Sequence, residues 1–239
     1  MRLAACAVLV LVACHPGSDD AFPIVPQGDD TPITPMPDAP RADASGDAVT
    51  TISGRVCVVS DLRNLTSCAN QGADGITVML GTSSAVTMAD GSFSLTPPTG
   101  SNVAWNLSAS GYVTSLMALG TVHLIPAVTT AIYDQALLDN GVILQAGQGS
   151  VVGRVVQQGV NVAGATVQAS PTPAYATLYD GVSSALWDQD ATGAFGVFWL
   201  TGVAVGTASV VVTPPSLIPV AVMVPVEDQA ITFVTVELL

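Results

Sequence analysis

The 239-residue chain contains no lysine, five arginines and eighteen acidic residues, for a formal charge of −13 at pH 7. Proteins grip phosphate backbones through Lys and Arg, so this balance argues against a nucleic-acid partner. Charged residues are only 10% of the chain, against about a quarter in ordinary globular proteins, and exposed positions must be filled mainly by Thr, Ser, Gly, Ala, Asn and Gln.

Residues 3–13 are mostly apolar, but as a helix they would reach only ~16 Å, about half a bilayer core, and cannot span. Behind Arg2 they have the layout of a secretory signal, predicted at residues 1–13. Small Ala13 is followed directly by Cys14, and the quartet LVAC resembles the lipobox of bacterial lipoproteins. The resemblance implies a mature chain beginning at a lipidated Cys14 and held to a membrane outside the cytoplasm by several acyl chains, palmitate among them. An ordinary signal peptide, cleaved without lipidation, is the alternative. His15 rather than Asp after the cysteine favours the outer membrane or cell surface, by analogy with enteric sorting.

Residues 14–50 form the next segment, which holds seven of the sixteen prolines and seven of the sixteen aspartates. It can bury little and repels itself, so it is predicted to be a disordered spacer, ~110 Å long if fully extended and ~30 to 35 Å as a flexible coil.

The remainder reads as two copies of one pattern. Ile52-Ser53-Gly54-Arg55-Val56 matches Val151-Val152-Gly153-Arg154-Val155, and Gly75-Ile76-Thr77-Val78 matches Gly164-Ala165-Thr166-Val167. Gly91-Ser92-Phe93 is matched to Gly193-Ala194-Phe195, and Thr99-Gly100 to Thr201-Gly202. The first copy carries an insertion containing Cys57 and Cys68, the second an insertion around Tyr175, Tyr179 and Trp187. In an oxidising compartment the two cysteines are expected to form a disulfide closing a short loop, worth up to ~3 kcal/mol; two thiols without a nearby His make only half of a tetrahedral metal shell.

Alternation at period two marks half-buried strands, with Ile76, Val78 and Leu80 on one face and Val103, Trp105, Leu107 and Ala109 on another. Asp90-Gly91 signals a hairpin. Between the copies, residues 126–139 read as a helix opened by Pro126, with Val128, Ile132 and Ala136 at four-residue steps and Asn140-Gly141 as the stop. The expected organisation is all-β, with β-sandwiches at 51–125 and 149–239 and a helical connector at 126–148.

The runs SGRV, GITV, ADGSF, PPTG and SASGY, echoed by VGRV, GATV, ATGAF and LTG, resemble the carboxypeptidase regulatory-like domain. The resemblance implies tandem transthyretin-like (prealbumin-like) Greek-key β-sandwiches serving as accessory or binding domains, without the zinc peptidase domain of the family's name.

The search for chemistry yields little. His123 is the lone histidine after the linker and is read as an exposed strand residue. HExxH, GxSxG and a phosphate-cradling glycine loop are absent, and lysine chemistry is excluded. No catalytic residue is assigned, the protein is expected not to be an enzyme, and no cofactor is implied. Asp188, Asp190, Thr192 and Gly193 form DxDxTG, a partial echo of calcium loops but also an ordinary Asp- and Gly-rich turn. Phe195, Val197 and Trp199 are expected to face inward, turning Phe198 and Leu200 to the opposite face. Apolar residues on both faces imply a second packing surface against the helix or the other copy. The other reading is a ligand platform of Tyr175, Tyr179, Trp187 and Phe198, whose rings suit sugars. The functional expectation is a non-enzymatic, membrane-tethered surface lipoprotein with an envelope protein or glycan as partner; a carbohydrate-binding accessory module is the alternative.

Overall fold

The computed structural model describes residues 51–239 apart from 69–72, 99–103, 119–122, 182–186, 217 and 239. The expected signal peptide, Cys14 and the linker at 14–50 lie outside the described residues. Those described form an all-β protein with one short helix.

The first copy contributes β1 (Ile52–Val58), β2 (Thr77–Leu80), β3 (Ser83–Val86), β4 (Ser92–Leu95), β5 (Ala104–Ser108), β6 (Ser115–Ala118) and β7 (Leu124–Ala127), followed by α1 (Thr130–Asp139). The second contributes β8 (Gln148–Gln157), β9 (Val160–Asn161), β10 (Thr166–Ser170), β11 (Leu178–Tyr179), β12 (Val197–Ala204), β13 (Gly206–Thr213), β14 (Val220–Val226) and β15 (Ile231–Leu238). One small sheet runs β4-β1-β7, another β10-β13-β14, and a long sheet runs β11-β12-β8-β15-β6-β5-β2-β3, with β9 paired to β8. Each copy is thus two layers: β4-β1-β7 over β3-β2-β5-β6 in the first, and β11-β12-β8-β15 over β10-β13-β14 in the second.

The long sheet crosses from one copy to the other. β15 pairs in parallel with β8 from Ile231↔Ser150 to Leu238↔Gln157, and its first residues pair in parallel with β6, Ile231↔Ser115 to Phe233↔Met117. Two strands that would otherwise be open edges, with unpaired N–H and C=O groups, are closed by this contact.

Side chains fill three cores. Val56, Ile76, Val78, Leu80, Phe93, Trp105, Leu107 and Ile125 fill the first sandwich. Val151, Val155, Phe198, Leu200, Val210, Val212 and Val236 fill the second. A third core lies on the other face of β12-β8-β15, where Val152, Val197, Trp199, Ile231 and Phe233 pack against Cys57, Val59, Leu62, Leu65, Val113, Val128 and Tyr133.

The same backbone device appears in both copies. Thr87 Oγ1 accepts from the Ile76 amide at 2.9 Å and donates to the Ala73 carbonyl. Thr192 Oγ1 accepts from the Ala165 amide at 2.9 Å and donates to the Val162 carbonyl at 2.8 Å. Both threonines are buried, and both bridge backbone groups on either side of a positive-φ glycine, Gly75 or Gly164.

This equivalence corrects the third landmark. The Val56 amide donates to Gly91 O and the Val155 amide to Gly196 O, while Phe93 stands opposite Gly54 and Phe198 opposite Gly153. Gly91 therefore corresponds to Gly196, and Phe93 to Phe198, three residues beyond the Gly193-Ala194-Phe195 match. Phe195 is 38% exposed rather than inward-facing, whereas Phe198 is fully buried. The ring explains the glycine: a Cβ on Gly54 would lie 2.5 Å from the Phe93 ring, and one on Gly153 2.0 Å from that of Phe198.

The helix also begins later than the spacing predicts. Pro126 lies in β7, opposite Cys57, a position open to a residue without an N–H because β7 is an edge strand. Thr129 is the N-cap, its hydroxyl accepting from the Ile132 amide. Asn140 and positive-φ Gly141 end the helix where expected.

Because the Phe198 ring occupies the space over Gly153, Gly153→Ala should destabilise the protein by about 3 kcal/mol through overpacking. Thermal denaturation followed by circular dichroism should show a lower Tm, and an unchanged Tm would mean that the ring does not cover this glycine.

Candidate functional site

The residues singled out for function are placed in several different surroundings. Tyr179 and Phe198 both lie in the core of the second sandwich. The Tyr179 hydroxyl accepts from the Val167 amide at 2.7 Å, and burial raises its pKa above the usual phenol value. Tyr175 is half-buried, its hydroxyl accepting from the Ile143 amide at 3.0 Å and donating to the Ile143 carbonyl at 2.8 Å, which ties this insertion to the segment after α1. Trp187 packs on Trp199, ring centroids 5.3 Å apart. The four aromatics therefore form no common platform; two are core, because β11 and β12 are covered on the face that was expected to carry ligand.

Asp188 and Asp190 are exposed, and the Asp188 carboxylate accepts from Gln189 Nε2 at 3.0 Å. Thr192, counted with them in the DxDxTG run, turns inward to bridge Ala165 and Val162. Among the described residues no three His, Cys, Asp or Glu side chains stand close enough to hold a metal ion. His123 is half-buried just before β7, its Nδ1 3.1 Å from the Ser53 carbonyl oxygen and its ring edge-on to Trp105. The Cys57–Cys68 disulfide is formed. Its loop is more than a stapled excursion, since Val59, Leu62 and Leu65 are buried in the core shared by the two copies.

One polar residue of consequence was not legible from spacing. Asp180 is fully buried. Its Oδ1 accepts from the Gly193 and Val197 amides at 2.8 and 2.7 Å, and its Oδ2 from the Phe195 amide at 2.7 Å. Three backbone donors offset the cost of burying the carboxylate and shape the turn that delivers the chain into β12. Gly193 is required beside it, because a Cβ there would lie 2.2 Å from the Asp180 carbonyl oxygen. The available signal was an aspartate closing an apolar run, followed by the two turn glycines Gly193 and Gly196.

Tyr133 carries the helix into the shared core. Its ring lies 6.1 Å from Trp199 and its hydroxyl donates to Ser150 Oγ at 2.7 Å. Burial pushes the phenol up to about 12, with the Ser150 hydrogen bond acting in the opposite sense.

Beside this core is an open cleft of about 770 Å³ between α1 and the disulfide loop. One wall is the helix face of Ala131, Gln135 and Asp139; the other is Ser60, Asp61 and Arg63; Trp187 closes it. Asp61 and Arg63 form a fork, with Arg63 Nε 2.8 Å from Asp61 Oδ1 and a terminal guanidinium nitrogen 2.6 Å from Oδ2. Gln135 Nε2 donates to Asp139 Oδ1 at 2.7 Å.

Asp180→Ala should cost about 3 to 5 kcal/mol, since it leaves buried amides without acceptors; urea denaturation measures this, and a loss below about 1 kcal/mol would contradict the role. The Tyr133 shift predicts alkaline destabilisation. The unfolded chain gives up its phenolic proton at the ordinary pKa near 10, below the folded value, so stability is whole below that pH and falls toward about 12 by at most ~1.4 kcal/mol per pH unit. Tyr179 acts in the same direction. Urea midpoints across this range should fall less steeply for Tyr133→Phe than for the parent.

No protein-family model matches the chain, and no curated protein matches it. Among solved structures, the minor pilin GBS52 of Streptococcus agalactiae is similar at 11% identity over 78% of this chain and 94% of that one, with a TM-score of 0.27. The Bacillus anthracis TIE protein is similar at 10% identity over 79% of this chain and 33% of that one, TM-score 0.25. The shaft pilin SpaA of Lactobacillus rhamnosus GG is similar at 12% identity over 78% and 96%, TM-score 0.22. Likeness at this level carries no inference about what this protein does.

Proposed function

We propose that this protein is a non-enzymatic lipoprotein of the bacterial cell envelope, anchored through acyl chains on Cys14 and displaying tandem β-sandwich domains, β1 to β7 and β8 to β15 with α1 between them, beyond a linker at 14–50. The carrying observation is the continuous sheet through β6, β15 and β8. A body joined by backbone hydrogen bonds and a shared core suits holding or spacing better than opening and closing around a substrate. The polar groups that chemistry would recruit have structural duties: Asp180 is held by three amides and His123 lies against Trp105 and Ser53. The LVAC quartet supports the tether, and His15 rather than Asp after Cys14 supports the outer membrane or cell surface as its place.

Cys14→Ser should move the protein from the membrane fraction to the supernatant and abolish incorporation of labelled palmitate. An exported wild-type protein whose Cys14 is bare by mass spectrometry would overturn the anchor.

A further inference from the structure

The cleft between α1 and the disulfide loop brings one indole together with carboxylate, guanidinium and amide side chains. We infer that it binds a neutral oligosaccharide, with Trp187 as the stacking surface and the Asp61–Arg63 and Gln135–Asp139 pairs as hydroxyl partners. The inference extends the envelope reading by giving the tethered body a ligand, and it does not depend on the lipid anchor.

Volume and lining come first. The cleft of about 770 Å³ lies within the range of small-molecule sites, which combine an aromatic or apolar surface with a few placed polar groups. Trp187 is half-buried, and its contact with Trp199 fixes the indole before any ligand arrives. A fixed aromatic ring offers a flat apolar surface to the C–H face of a pyranose at little entropic cost.

The polar groups are also set in advance. The Arg63 backbone amide and side-chain Nε both donate to Asp61 Oδ1, at 2.9 and 2.8 Å. The Gln135–Asp139 bond spans one turn of the exposed helix face and leaves Asp139 Oδ2 and Gln135 Oε1 without a partner among the described residues. Asn140 Nδ2 donates to the Ala136 carbonyl at 2.8 Å, leaving the amide oxygen of that side chain as a further acceptor at the cleft. Planar groups with spare lone pairs suit the vicinal hydroxyls of a sugar, which donate and accept side by side.

Charge narrows the class. Among the described residues two carboxylates against one guanidinium line the cleft, in a chain of net charge −13, so an anionic glycan is repelled over the approach. A neutral polyol avoids that penalty.

The test uses the full-length protein in detergent micelles, titrated with malto-, cello-, xylo- and chito-oligosaccharides while tryptophan fluorescence is followed. Saturable binding of at least one neutral series is expected, weakened about tenfold or more by Trp187→Ala. Because Trp187 also packs on Trp199, a second variant, Gln135→Ala with Asp139→Ala on the exposed helix face, should weaken binding severalfold with an unchanged Tm. Absence of binding in all four series, preference for an anionic polysaccharide, or binding indifferent to both variants would overturn the inference. None of these outcomes bears on membrane fractionation, which tests the anchor separately.

Discussion

The pairing of β15 with β8 on one side and β6 on the other is the constraint on which the rest of the molecule depends. The first half of the strand, Ile231 to Val234, is covered on both faces. Ile231 and Phe233 face the core shared by the two copies, while Val234, Val236 and Leu238 face the core of the second sandwich. A strand with both faces buried reads as a nearly continuous apolar run, as ITFVTVEL does over its first half. Removing it would open two sheet edges and uncover two cores at once. The element that unites the fold is thus the last one in the chain, and its parallel pairings close over long sequence separations, the kind of contact that slows folding.

The two copies agree where each sandwich needs the same backbone device and differ where they meet. Thr87 and Thr192 bridge equivalent groups, and Gly54 and Gly153 each lie under a phenylalanine ring. By contrast, the disulfide loop of the first copy, the intervening helix and Trp187 of the second copy's insertion all pack around Trp199 and Phe233 on the outer face of β12-β8-β15. Insertions that break the repeat supply the material that joins it. The candidate sugar cleft lies at the rim of that junction, so its walls come from segments that only one copy possesses.

The interior polar groups clamp backbone to backbone rather than form a reactive constellation. Asp180 gathers three amides, Thr87 and Thr192 each bridge an amide and a carbonyl, and Tyr133 reaches Ser150 across the shared core. Such satisfied groups add specificity to the packing and would be costly to leave unpaired. The raised pKa values of the Tyr133 and Tyr179 phenols follow from the same burial.

Period-two alternation was enough to place Ile76, Val78, Leu80, Trp105 and Leu107 inside, glycine and asparagine marked the hairpin at Gly91 and the helix stop at Gly141, and the expectation of an oxidising compartment paired Cys57 with Cys68. The tertiary structure alone decided three matters. The equivalent of Phe93 is Phe198, because the Asp180-bound turn at Gly193 imitates the first copy's hairpin three residues early. Tyr179 and Phe198 are core rather than platform, because alternation tells which side chains share a face and not what covers that face. The partner of β15 across the copies was likewise beyond local pattern, since a strand's edge carries only backbone N–H and C=O groups, alike in every residue but proline.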